Sequence, residues 1–300
     1  MKKQQLLVNV LAFSVVSLAS AQTSLWNETF SGTSRPANMN QSINGSPSST
    51  ITFNGSTALF TTALNGAYAQ LNTGTTSAGV GALNGGDIFD LAVNKISGSF
   101  SIAGYDKSVN HNITFGVGVK DASPSIPYFS TLNMKDGVGF SFQQSTGSAD
   151  GILQFGARDN AGNIVSNFSI GTFTQAQFPT KVTFSFTSTQ ATVTFFNGTN
   201  NNINFVAASA GGATLARFNG AAGEGSGVSV SYSALSFDPA DTANFYLGAN
   251  SNASVSRALA IDDLVLSATA TAIPEPSSFA ALAGLGALGL VACLRRRRSF

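Results

Sequence analysis

The sequence predicts an all-β fold, an antiparallel sandwich of two sheets, on three observations. Charged residues make up 10% of the chain, against a usual share of about 25%. Phe contributes 24 residues and Gly 31, and abundant Phe, Val, Ile and Thr between Gly-rich turns favours strands. Asn-Gly pairs at 44–45, 54–55, 65–66, 84–85, 197–198 and 219–220, and Asp-Gly at 136–137 and 150–151, punctuate the chain as tight turns do. Between them apolar residues recur at every second position, the period of a strand with one buried face.

Taken in order, residues 1–21 read as a cleavable secretory signal. Lys2 and Lys3 precede an apolar stretch, Leu6–Leu18, and Ala19-Ser20-Ala21 is a small-residue cleavage box. Residues 22–271 read as one β-sandwich domain. Strands are expected near 50–60, 88–103, 112–120, 203–208, 228–237, 243–248 and 258–267, together with three hairpins. In the first, "YFSTLNM" turns at Lys135-Asp136-Gly137 into "GVGFSFQQ", with Val138, Phe140 and Phe142 on one face. In the second, 151–170 turns at Asp159-Asn160-Ala161-Gly162. In the third, Val182, Phe184 and Phe186 alternate, and Val193 and Phe195 resume after Ser188-Thr189-Gln190. Residues 31–50 read as a mobile segment and 207–227 as an Ala/Gly-rich loop. A dozen or so such strands make two packed sheets. No repeat of fixed period argues for a solenoid or propeller.

The last element, 272–300, differs in kind. Pro274-Glu275-Pro276 is followed by sixteen apolar or small residues, Phe279–Leu294, and then by Arg295, Arg296, Arg297 and Arg298. As a helix the run spans roughly 24 Å, and arginines reaching the headgroups extend it toward a hydrocarbon core of about 30 Å. The arginines act as a stop-transfer signal, and the prolines keep the segment before the helix extended.

In order and spacing this tail resembles the PEP-CTERM sorting domain of bacteria. The resemblance implies recognition of Pro274, Glu275 and Pro276 by an exosortase, a membrane-embedded cysteine transpeptidase. It also implies that helix 279–294 holds the chain in the inner membrane before processing, and that the protein then passes to the cell surface or the exopolysaccharide matrix. The closing stretch of the body carries a second resemblance. Thr194–Gly198, Tyr246-Leu247-Gly248 and Ile261-Asp262-Asp263-Leu264 are similar to the end of a concanavalin A-like, laminin-G-type jelly roll. That implies a jelly-roll sandwich.

Counting excludes several chemistries. The single cysteine, Cys293, lies in the tail, and His111 is the only histidine. The body therefore has no disulfide, no cysteine or histidine cluster for zinc, and a Ser-His-Asp triad on His111 alone. Residues 22–272 hold nine Lys/Arg against thirteen Asp/Glu, a net of −4, which gives nucleic acid no basic patch. Glycoside hydrolysis needs two facing carboxyls. The body has only Glu28 and Glu224, with Asp87, Asp90, Asp262 and Asp263 placed as turn or surface charges. No catalytic residue is assigned and no enzyme is expected. Asp136, Asp150, Asp159 and Asn160, in adjacent turns, form a candidate calcium site of oxygen ligands, although turns favour Asp and Asn in any case. Trp26, Tyr68, Tyr105, Tyr128, Tyr232 and Tyr246 are candidates for stacking on sugar rings where exposed, with core packing the competing role.

Three readings follow: an exported, non-catalytic protein that binds or organises exopolysaccharide; a structural or adhesive module without glycan affinity; and a glycosidase. Exposed aromatics on the concave sheet favour the first over the second, and two facing carboxyls there favour the third.

Overall fold

Alternation of Val, Phe and Ala with Ser and Thr decides the architecture, because each such strand has one face that only a second sheet can cover. The computed structural model describes residues 22–270 except 45–48, 64–65, 75–87, 108–110, 121–133, 144–150, 198–208, 211, 220–224, 236–242 and 252–254. The expected signal, the sorting tail, the helix at 279–294, Asp87, Tyr128, Asp150, Glu224 and the strand near 203–208 lie outside the described residues. Residues 21–270 cluster as one compact unit.

Among the described residues, seventeen strands follow in chain order: β1 (Gln22–Glu28), β2 (Asn40–Asn44), β3 (Thr50–Phe53), β4 (Ala58–Thr62), β5 (Ala67–Asn72), β6 (Asn94–Tyr105), β7 (His111–Lys120), β8 (Met134–Gln143), β9 (Gly151–Arg158), β10 (Ile164–Phe173), β11 (Lys181–Phe186), β12 (Gln190–Phe196), β13 (Ser209–Ala210), β14 (Ala213–Asn219), β15 (Ser226–Ser231), β16 (Asn244–Ser251) and β17 (Arg257–Ala270). Among the described residues they form two sheets, and every strand pairing in them is antiparallel. The larger has ten strands in the order β13-β14-β15-β12-β11-β6-β17-β4-β3, with β1 also paired to β17. The smaller has seven, in the order β10-β9-β8-β7-β16-β5-β2. This is the all-β, two-sheet antiparallel sandwich that the sequence predicts.

Phenylalanines from both sheets meet in the middle. Phe115 of β7 lies 5.3 Å from Phe100 of β6 and 5.3 Å from Phe184 of β11, and Phe184 stacks on Phe245 of β16 at 5.4 Å. Trp26 meets Phe245 edge-on at 5.7 Å. Each buried ring of this kind contributes about 1.5–3 kcal/mol through burial alone. The abundance of Phe is thus a core property.

Two expected hairpins form as read. The β9–β10 turn closes with the Gly162 N–H donating to the Asp159 carbonyl at 3.0 Å, and the β11–β12 turn with Thr187 N–H to the Gln190 carbonyl at 2.8 Å. The first hairpin does not form at Asp136-Gly137. Met134–Gln143 is one strand, and the pairing with β7 shifts between Val117 and Val119 opposite it. Asp136 has φ +45°, so its left-handed conformation makes a bulge instead of a reversal. The strand expected near 50–60 is two, β3 and β4, folded about Asn54, whose Oδ1 accepts from the backbone N–H of Ser56 and Thr57 at 3.1 and 2.9 Å. The expected mobile segment contains β2, and the expected loop at 207–227 contains β13 and β14.

Candidate functional site: two uncharged faces

Each sheet also has a face turned away from the core, and strand register sets what it displays. On the ten-stranded sheet, one transverse row runs Ser24–Ser267–Ser97–Ser185–Thr192–Ser229–Ala216, from β1 through β17, β6, β11, β12 and β15 to β14. The next runs Asn27–Val265–Ser99–Thr183–Thr194–Gly227–Phe218. Neighbours within a row stand about 4.8 Å apart, and rows about 6.8 Å apart. Most of these side chains are exposed or half-buried. Ser97 and Ser267 share a hydrogen bond at 3.1 Å, as do Thr192 and Ser229 at 2.8 Å. Charges appear only beyond the rows: Lys95 pairs with Thr269, and Ser101 stands between Lys181 and Asp262. Phe218, 38% exposed, ends its row. A Cβ on Gly227 would come within 2.5 Å of its ring, so the phenyl covers that glycine.

Two rows on the outward face of the seven-stranded sheet are also uncharged but carry amides and glycines, with Arg158 beyond them on β9. One row is Asn40–Asn72–Tyr246–Gly116–Gly139–Gly156–Asn167, and the next is Ser42–Gln70–Gly248–Thr114–Ser141–Gln154–Ser169. Tyr246 reaches along its row over the glycines: a Cβ at Gly116 or Gly139 would stand 2.7 or 2.5 Å from its hydroxyl oxygen. Gln70 and Tyr246 are 0% exposed, Asn72 and Thr114 2%, while Gln154, Asn167 and Ser169 are exposed. Three side-chain bonds cross between strands here. Gln70 Nε2 donates to Thr114 Oγ1 at 3.3 Å, Asn72 Nδ2 to Ser42 Oγ at 3.0 Å, and Ser141 Oγ to Gln154 Oε1 at 3.3 Å. Burial pushes the phenols of Tyr246 and of Tyr232 far above their ordinary pKa.

The calcium candidates are partly brought together. The Asp136 N–H donates to the Asp159 carbonyl at 3.0 Å, so bulge and turn are adjacent. The Asp159 carboxylate, however, accepts from Ala161 N–H at 3.0 Å, Asn163 N–H at 2.8 Å and Asn163 Nδ2 at 3.1 Å. Slight burial raises its pKa, but the bonds from Asn163 and Ala161 and the charge of Arg158 outweigh that and hold it below the usual carboxylate range. Asn160 is exposed. Among the described residues no three His, Cys, Asp or Glu side chains are grouped to hold a metal ion.

Other carboxylates serve the backbone. Asp90 Oδ1 accepts from Ala92 N–H at 2.7 Å, and Asp106 Oδ2 from Ala258 N–H at 2.8 Å. Asp262 Oδ1 accepts from Asp263 N–H at 2.8 Å. Asp263, with φ +47°, sits at a bulge of β17, where Ser101 Oγ donates to its Oδ2 at 3.3 Å. Burial raises the pKa of Glu28.

The aromatic candidates among the described residues are buried or half-buried. Trp26 is 1% exposed, Tyr68 4% and Tyr232 7%. Tyr105 is held between the rings of His111 and Phe178, at 4.8 and 4.7 Å. Sequence reasoning did not find the hydroxyl rows. Their signal, Ser or Thr at every second position of "SFS", "TFSF" and "ATVT", was present, but the strand order that aligns them was not.

Residues 272–298 match the family model described as the PEP-CTERM protein-sorting motif. The tail is a sorting motif. It marks the chain for export and for membrane-anchored processing by an exosortase. A comparison with curated proteins finds no match. Among solved structures, the CBM2 module of Lactobacillus casei BL23 phage J-1 evolved Dit is similar with TM-score 0.45 and 6% identity, covering 84% of this chain and 97% of that one. The Emp47p carbohydrate recognition domain gives 0.43 and 12%, over 82% and 94%. Lectin II from Ulex europaeus gives 0.42 and 11%, over 83% and 98%. Among the described residues no helix is long and apolar enough to cross a membrane.

Proposed function

We propose that this protein, once sorted, is a non-catalytic component of the cell surface or extracellular matrix whose hydroxyl-bearing face holds neutral exopolysaccharide. The observation that supports the reading is the pair of uncharged Ser/Thr rows across β17, β6, β11, β12 and β15. A polymer repeats its hydroxyls along its length, and a surface that repeats its own at strand spacing engages many of them at once. Each hydrogen bond exchanged with water contributes only about 0.5–1.5 kcal/mol, so affinity comes from number. An uncharged face also leaves no buried charge to compensate.

The carboxylates that cap turns and bulges support the non-catalytic part of the reading. Calcium, if it acts, does so at Asp136, Asp159 and Asn160, together with Asp150. A second reading, a structural or adhesive module without glycan affinity, draws on one observation: of the aromatic residues with described side chains, only Phe218 is among the exposed large hydrophobics.

Affinity electrophoresis through gels containing bacterial exopolysaccharide, with calcium and with chelator, tests these readings. Retardation indifferent to chelator is the expected result and supports the hydroxyl face. Retardation lost in chelator assigns the β9–β10 turn and calcium instead. Unchanged mobility in every polysaccharide overturns glycan binding and leaves the structural module.

A further inference from the structure

One end of the sandwich carries a polar cluster that neither outer face uses. His111 opens β7, Arg257 opens β17, and Thr62 closes β4 directly opposite Arg257. Alternation turns all three inward. His111 lies on the side of Ile113 and Phe115, Arg257 on that of Leu259 and Ile261, and Thr62 on that of Phe60 and Ala58. Thr62 and Arg257 therefore lie side by side in the layer that follows the apolar Leu259–Phe60 pair. His111, on the other sheet, is tied to this end through Asp106, which it meets at Nδ1 and which accepts from the Ala258 N–H. His111 and Thr62 are 0% exposed, and Arg257 is half-buried.

The imidazole is fixed from behind. Its ring stacks on Tyr105, the Tyr105 hydroxyl donates to the His111 carbonyl oxygen, and His111 Nδ1 stands 2.9 Å from the Asp106 carbonyl oxygen. A carbonyl only accepts, so Nδ1 bears the proton and Nε2 presents a lone pair. Burial chiefly, helped by the charge of Arg257 and opposed by Asp106, holds the imidazole below its ordinary pKa and thus neutral. His111 Nε2, Thr62 Oγ1 and Arg257 Nε are buried without a hydrogen-bond partner among the described residues. The neighbouring Asp106 carboxylate is engaged by the Ala258 N–H at 2.8 Å. Buried donors and acceptors cost stability when unpaired, a guanidinium most of all.

We propose that Arg257, His111 and Thr62 form a binding site for a hydroxycarboxylate, a carboxylate with a hydroxyl beside it, from a uronic acid or a free 2-hydroxy acid. The guanidinium takes the carboxylate. The imidazole lone pair repels an anion but accepts the proton of a hydroxyl, and the threonine hydroxyl serves either group. A metal ion is disfavoured by the positive charge of Arg257 beside a single nitrogen ligand. This site stands independently of polymer binding on the outer faces.

Because His111 is the only histidine, ¹⁵N-histidine labelling of the full chain in detergent reports this site alone. The imidazole resonances are followed at neutral pH during titration with sodium glucuronate, sodium lactate, sodium acetate and glucose. The expected result is a saturable Nε2 shift with a hydroxy acid, with acetate and glucose about tenfold weaker or more and the shift lost in Arg257→Gln. A response to glucuronate alone assigns a uronic acid, and one to lactate alone a free hydroxy acid. Both assign the shared chemistry. No saturable shift with either hydroxy acid, or equal binding of acetate, overturns the proposal, and this holds in the unsubstituted chain whatever the variant does.

Discussion

The central rows on the outward faces of the ten-stranded and of the seven-stranded sheet are both uncharged, yet one set is wet and the other largely buried. Ser97, Ser99, Thr183 and Thr194 keep partial exposure on the first, while Gln70, Asn72, Thr114 and Tyr246 lose nearly all of it on the second. On the buried rows the amides also bond across strands, Gln70 to Thr114 and Asn72 to Ser42. Polarity alone therefore does not mark a binding surface; accessibility joined to regular register does.

The comparison can be broken hardest at its buried side. Gly139→Ala places a methyl 2.5 Å from the Tyr246 hydroxyl oxygen and 2.7 Å from the Phe115 carbonyl oxygen. Overpacking of this kind costs about 1–3 kcal/mol, read as a lower urea midpoint. Tyr246→Phe removes one buried hydroxyl, with an expected loss of about 0.5–1.5 kcal/mol by the same measurement. Alkali tests that side without mutation. The folded-state pKa values of Tyr246 and Tyr232 lie above the unfolded value of about 10. Stability from the protonated phenols is thus present below that pH and falls as pH rises beyond it. Spectrophotometric titration should show these two ionising only as the protein unfolds. On the wet side, Ser99→Ala changes stability by no more than about 0.5 kcal/mol, because the side chain is only half-buried on the outward face.

What the sequence made legible was the alternation. "KVTFSF" and "ATVTFF" give β11 and β12 their faces directly, and the Asn54 and Asp159 turns behave as Asn and Asp in turns do. β5, "AYAQLN", escaped notice because its polar face is buried as fully as its apolar one, so no wet–dry contrast marks it. β14 hid among Ala and Gly, and Asp136-Gly137 spent its turn chemistry on a bulge. The sorting tail was readable outright, since its signal is local order along the chain. The hydroxyl rows and the His111–Arg257–Thr62 cluster were not, since strand order in space is a tertiary fact that no local pattern encodes.

The most direct test of the central claim compares residues 22–270 with a Thr183→Val/Thr192→Val/Thr194→Val variant by affinity electrophoresis in exopolysaccharide gels. Valine keeps shape and strand preference while removing three hydroxyls. The account predicts a variant that folds, migrates normally in a blank gel and loses its retardation in polysaccharide. Undiminished retardation of that variant would contradict it.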